Sequence, residues 1–304
     1  MVSYFSKNFD LDQSGSYTVE QFIEDIEHND ILNMDEYDKC FNISRMLSKV
    51  TNELEYISEI LKNKIDNVGD SGIIDGYGDT SVILRSTENY SIRIVKWLPE
   101  NLVPSPDLER SGLAYQIAHN HDFNLITKGV YGSGYQTDLY DFQADRVAGA
   151  IGEKVKLKYN GRFQLQLGSV IWYRRCFDVH VQVPPSDFSI SFNVIPKSRN
   201  IGYGQFIFDI EENEIINFAR NGVMRSLSCI SLISSLYPNE KSYGIVEEAI
   251  KYTDSEWLKI ALCMLIKKHW PDRFEGAFDR YSIQDSFYYS ADFDPARFSA
   301  NMVR

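Results

Sequence analysis

Three of the five histidines in this 304-residue chain, His119, His121 and His180, fall within one stretch whose composition is that of β-sheet. His119 and His121 form an H-x-H pair. Side chains at i and i+2 of a strand leave on the same face, so both imidazoles are expected to point one way. His180, on a later strand-like segment, can close a face of three nitrogens around one divalent ion. Positions left open opposite such a face are what a catalytic metal site needs and a structural one lacks. A three-imidazole face suits Fe(II), Mn, Ni, Cu or Zn.

Groups that would handle an anion accompany the histidines. Arg93, Arg174 and Arg175 are candidate clamps for a substrate carboxylate, because a planar guanidinium matches it with two parallel hydrogen bonds. Strand alternation sends only one of Arg174 and Arg175 inward. Asp122 and Asp138 are candidate acceptors behind the imidazoles, where they would fix the tautomers.

The elements that must position these residues can be read from periodicity. Residues 18–64 read as helical: Thr18 and Gln21 resemble a capping box, and Phe22, Ile23 and Ile26 recur at helical spacing. Met46, Leu47, Val50, Leu54, Ile57 and Leu61 continue that spacing. Residues 67–79, rich in Gly and Asp, read as a loop and a boundary. From about Thr80 to Asp209 short Val-, Ile-, Tyr- and Phe-rich segments alternate with turn residues, the pattern of an antiparallel sandwich or barrel. Helical spacing is expected to return over 215–236, 243–252 and 255–269. The first and last of these stop at Tyr237-Pro238 and Trp270-Pro271, 33 residues apart, like a unit of stacked HEAT-type repeats. The expected organisation is an N-terminal helical segment over 1–79, a β-barrel over 80–210 and a C-terminal helical domain over 211–304. The apolar run from Trp257 to Ile266 reads as helix core first and as a protein-partner surface second.

Composition excludes several classes of function. The chain carries 43 acidic and 31 basic side chains, a net charge of −12, and no basic stripe, which argues against nucleic acid and anionic membranes as partners. No apolar run reaches the roughly 18 residues of a membrane span, and Met1 to Asp10 holds no apolar signal core. Cys40, Cys176, Cys229 and Cys263 form no C-x-x-C pair and read as free thiols of a cytoplasmic protein. Residues 10–21 resemble an EF-hand loop, with Asp10, Asp12, Ser14 and Gly15 in place. Gln21 stands where the bidentate glutamate belongs, so a turn with a helix cap is the expected reading.

The run Ala118-His-Asn-His-Asp-Phe through Gly129 and Gly134 to Tyr140 resembles the first metal motif of the cupin superfamily. Gly168 to Tyr173 followed by Asp178-Val-His180 resembles the second. The strand Phe188 to Val194 is similar to the one that follows the last metal histidine in cupin-like and JmjC-like oxygenases. The resemblance covers roughly residues 80–200 and implies a double-stranded β-helix. Leu125 and Ile126 stand where many cupins carry a metal-binding glutamate, leaving three histidines, as in the cysteine-dioxygenase-like branch. In that branch Arg93 is similarly placed to the arginine that holds the substrate carboxylate, whereas the expected tyrosine and histidine of the last strand are replaced by Phe192 and Asn193. The resemblance implies a mononuclear Fe(II) oxygenase acting with O₂ on a small polar substrate such as an amino acid. A 2-oxoglutarate-dependent hydroxylase is the alternative, with Lys128 as anchor for the cosubstrate and Ser191 and Asn193 supplying hydrogen bonds. His121 counts against it, since those enzymes usually carry H-x-D or H-x-E. A non-enzymatic ligand-binding or scaffold protein is the third reading.

Overall fold

The computed structural model describes residues 17–28, 30–51, 53–66, 80–102, 113–144, 147, 149, 151–197, 204–219, 222–253 and 256–281. The chain opens with three helices, α1 (Val19–His28), α2 (Glu36–Lys49) and α3 (Glu53–Asp66). The capping box expected at the start of α1 is present: Thr18 N donates to Gln21 Oε1 at 3.0 Å and Gln21 N to Thr18 Oγ1 at 3.2 Å. Gln21 therefore serves the helix, and the loop residues before Tyr17 lie outside the described residues. Asp35 caps α2 by accepting from the Tyr37 and Asp38 amides.

Eleven strands follow among the described residues: β1 (Ser81–Ser86), β2 (Tyr90–Trp97), β3 (Ala118–Asn120), β4 (Leu125–Tyr131), β5 (Gln136–Asp141), β6 (Lys158–Gln164), β7 (Val170–Tyr173), β8 (Asp178–Val183), β9 (Ser189–Pro196), β10 (Phe206–Asp209) and β11 (Glu214–Phe218). They form two antiparallel sheets, one ordered β1-β2-β9-β4-β7 and the other β11-β10-β3-β8-β5-β6. Strand alternation divides β2 cleanly. Tyr90, Ile92 and Ile94 pack with Ile23, Ile43 and Leu47 of the N-terminal helices, whereas Val95 and Trp97 join Tyr115, Leu125, Leu139 and Tyr173 in an interior drawn from both sheets. Helices α4 (Gly222–Leu236), α5 (Glu240–Tyr252) and α6 (Glu256–His269), with the short α7 (Ala277–Arg280), cover the outer face of the six-stranded sheet. There Val246, Ile250 and Leu262 meet Ala118, Val179 and Phe206.

The chain is thus mixed helix and sheet, with helices on both sides of two antiparallel sheets. Two differences from the sequence reading concern the end of the β region. Helix is expected from Ile215, yet β10 and β11 form a hairpin that extends the six-stranded sheet to Phe218, and α4 begins at Gly222. Ile215 is fully buried between sheet and helices, so one buried position satisfies either period. Helices α4, α5 and α6 pack against one another in all three pairings. No described helix is long and apolar enough to cross a membrane. The glycines of the β4–β5 region are required by contact: a Cβ on Gly134, at φ +74°, would lie 1.7 Å from the Leu165 carbonyl oxygen.

Candidate metal centre

The six-stranded sheet brings the histidines together. His119 on β3 and His180 on β8 are direct cross-strand partners, and His180 also faces Leu139 across to β5. Directly opposed residues share a face. The alternating neighbours Ala118 and Val179 enter the core under the C-terminal helices, so both imidazoles enter the space between the sheets. His121 follows immediately after β3 ends, just before a bend at Asp122 and Phe123. Ring centroids lie 4.3 Å apart for His119–His180, 4.9 Å for His121–His180 and 5.1 Å for His119–His121, with the rings mutually inclined.

One ring nitrogen of each histidine lies within 4.8 Å of the other two. Three nitrogens on one ion at about 2.1 Å lie about 3.0–3.6 Å apart. Each ring would therefore have to move inward by up to about an ångström to close the set. His119 Nδ1 sits 2.9 Å from the Ile117 carbonyl oxygen, which leaves Nε2 for an ion. His121 Nδ1 and both nitrogens of His180 are buried without a hydrogen-bond partner. A buried ring nitrogen with no partner costs free energy, and three of them together are hard to account for as packing alone. Burial holds all three below the ordinary histidine range, His121 and His180 strongly so, with mutual repulsion adding to the effect for these two and Arg93 adding to it for His121. Neutral imidazoles are the form that binds metal. The donor set therefore fits a single divalent ion.

The facing sheet contributes a polar row. Arg93 on β2 is opposite Asn193 on β9, and Asn193 is opposite Thr127 on β4. Thr127 Oγ1 donates to Asn193 Oδ1 at 2.5 Å. Arg93 is close enough to His121 and Tyr135 to act on both electrostatically. Two phenols complete the row: Tyr135 and Tyr173 hydroxyls are 2.9 Å apart, and the Tyr173 ring lies 4.5 Å from His180. Burial pushes Tyr135 up to about 12 and holds Tyr173 well above the ordinary phenol range, so both stay protonated. The phenols thus stand on β7 and before β5, whereas the family resemblance places a tyrosine on the last strand. The available signal was the alternation of Ile171 and Tyr173 with outward Trp172.

Several residues proposed for the site lie elsewhere. Lys128 projects from the other face of β4, where its ammonium pairs with Glu53 at 2.5 Å and donates to the Val50 carbonyl. It is thus a link to the N-terminal helices, and the expected 2-oxoglutarate anchor is not in the interior. Strand parity is the reason, since Thr127 occupies the inward position. Ser191 faces inward but its Oγ accepts from Trp97 Nε1 at 2.9 Å. Asn193 is inward too, tied to Thr127 as described. Arg174 is held by Asp178 at 2.6 Å and Asp141 at 3.0 Å. Arg175 Nε donates to the Asp122 carbonyl oxygen at 2.7 Å. Both arginines sit in the β7–β8 turn, where alternation no longer applies. Of the three candidate clamps, Arg93 alone shares the interior with the histidines. Asp138 pairs with Arg162 at 2.5 Å, and Asp122 accepts from Gln205 Nε2 at 2.6 Å. The orienting acceptor on His119 is instead a backbone carbonyl.

No protein-family model matches the chain, and no curated protein matches it. Among solved structures, it is similar to a cupin-2 domain protein from Shewanella frigidimarina (10% identity, 45% of this chain and 99% of that one, TM-score 0.24). It is also similar to a hydroquinone 1,2-dioxygenase from Sphingomonas sp. TTNP3 (9% identity, 41% and 69%, TM-score 0.27). A third is a DMSP lyase from Ruegeria pomeroyi (8% identity, 39% of this chain, TM-score 0.23), of whose length the match spans 47%.

Proposed function

We propose that this chain is a cupin-type mononuclear metal oxygenase acting on a small polar molecule with a carboxylate, such as an amino acid or a derivative. The observation that carries the reading is the gathering of one ring nitrogen from each of His119, His121 and His180 within 4.8 Å of one another, with His121 Nδ1 and both nitrogens of His180 buried and unpartnered. Fe(II) is the favoured ion, because the H-x-H and later histidine motifs resemble those of cupin oxygenases. When bound, the ion supplies open coordination positions at which substrate and O₂ meet.

The chain's own residues supply the rest. Arg93, in the polar row facing the histidines, orients the substrate carboxylate with paired hydrogen bonds. The Tyr135–Tyr173 pair offers a protonated hydroxyl beside His180 for a developing negative charge. Trp97, Leu125 and Ile171 line the same interior and exclude water from it.

Metal analysis of protein purified without chelators, followed by oxygen-uptake assays over amino acids and thiols, tests this reading. The expected result is about one iron per chain and uptake that depends on one substrate class. A chain that takes up no divalent ion even when loaded is a scaffold or ligand-binding protein instead.

A further inference from the structure

His119 and His180 belong to paired strands, but His121 does not. Strand β3 ends at Asn120, and residues 121–124, with a bend at Asp122 and Phe123, lead to the start of β4. No ladder fixes the third imidazole of the proposed centre. The segment 121–124 is nonetheless tied at three points to the β7–β8 turn, two on its backbone and one on a side chain. Cys176, held at φ +62°, donates its amide to the His121 carbonyl oxygen at 2.8 Å. Arg175 Nε donates to the Asp122 carbonyl oxygen at 2.7 Å. The Arg175 amide donates to Asn124 Oδ1 at 3.0 Å.

Asn124 is the hub of this arrangement. It is buried, its Oδ1 also accepts from Trp172 Nε1 at 2.9 Å, and its Nδ2 donates to Glu36 Oε1 in the first turn of α2 at 2.7 Å. Glu36 Oε1 lies 3.7 Å from Arg175 Nη1 as well. One side-chain amide thus joins the N-terminal helices, the β7–β8 turn and the segment bearing His121.

From these contacts we infer that Arg175 and Asn124 are positioning residues for the metal centre: they hold His121 where a regular strand would otherwise hold it. The inference rests on the metal reading above. It assigns to Arg175 a role different from the substrate clamp expected from sequence. It also gives the N-terminal helical segment a part in shaping the site. Arg174 is the internal comparison. It sits in the same turn, but it braces Asp178 on β8, and that strand is already paired on both sides.

The test uses the full chain loaded with Co(II), whose visible absorption reports coordination geometry, and a competing chelator to read affinity. Arg175→Ala and Arg175→Lys are expected to weaken Co(II) binding by ~10- to 100-fold and to alter the absorption bands. Lysine keeps the charge but lacks an Nε at that reach, so it should not rescue. Arg174→Ala is expected to stay within about threefold of wild type, since the ladder around His180 remains. Asn124→Asp, which keeps the acceptor but loses the donor to Glu36, should fall between. Should Arg175→Ala bind Co(II) with the affinity and spectrum of wild type, or Arg174→Ala loosen it equally, the positioning role is overturned while the metal reading stands. Failure of the wild-type chain to bind Co(II) overturns both.

Discussion

His119 and His180 are opposite one another on antiparallel neighbours β3 and β8, with ring centroids 4.3 Å apart. Cross-strand register alone therefore fixes two of the three imidazoles of the proposed centre. A one-residue slip of β8 would turn His180 into the core under the C-terminal helices and bring Val179 or Val181 between the sheets. His180 is fully buried with neither nitrogen hydrogen-bonded, so its place is paid for by something other than packing.

That relationship predicts a trade between stability and metal. Each unsatisfied buried polar group costs about 1–3 kcal/mol. His180→Leu is apolar and of similar size, so the metal-free protein should unfold about 1–2 kcal/mol higher than metal-free wild type. Uptake of metal should at the same time be lost. Denaturant titration of both proteins in chelator checks this, and a strongly destabilised His180→Leu would count against it.

The depressed histidines set an acid limit. A base whose folded pKa lies below its unfolded value leaves the unfolded chain holding more protons, so stability falls as pH drops below about 6.5. All three imidazoles act in this direction. Burial raises the Asp122 and Asp178 carboxyls, whose contribution has the opposite sign and begins lower, from 3.8 upward. Metal-free protein is expected to lose stability progressively as pH falls below about 6.5, and replacing His180 by Leu should flatten that slope.

Arg93 is the residue expected to hold substrate. A hydrogen bond to a charged group contributes about 1.5–3 kcal/mol, which is roughly 10- to 150-fold in kcat/KM. Arg93→Gln should therefore lower turnover of carboxylate substrates by about that factor, most of it in KM, while iron content is unchanged. Equal activity toward the free acid and its amide in the wild type would remove Arg93 from this role.

Lys128 separates structure from function in the opposite sense. Its ion pair with Glu53 is 4% exposed on the lysine side, so Lys128→Met leaves a nearly buried carboxylate alone. The expected cost is about 3 kcal/mol of stability, with metal affinity retained. Dependence of turnover on 2-oxoglutarate, lost in Lys128→Met, would restore the hydroxylase reading.

Much of this was legible in the residues themselves. The i, i+2 histidines and the alternating segments around them located the sheet region, and Thr18 with Gln21 marked the start of α1. Which face each residue takes was harder to read. Lys128 and Thr127 differ by one position, and only the register of β4 against β9 shows that threonine goes inward. Arg174 and Arg175 fall in a turn, where period-two reasoning has no purchase. Tyr135 lies between strands β4 and β5, and its pairing with Tyr173 depends on tertiary folding that no local pattern carries. Residues 215–218 read as helix because one buried position, Ile215, fits either period.

X-ray absorption at the metal edge of iron-loaded protein reads the coordination of the proposed centre itself. One ion per chain is expected, with three imidazole nitrogens at about 2.0–2.2 Å, and loss of one such scatterer in each of His119→Ala, His121→Ala and His180→Ala. A spectrum with fewer than three imidazoles, or one unchanged by these substitutions, would contradict it.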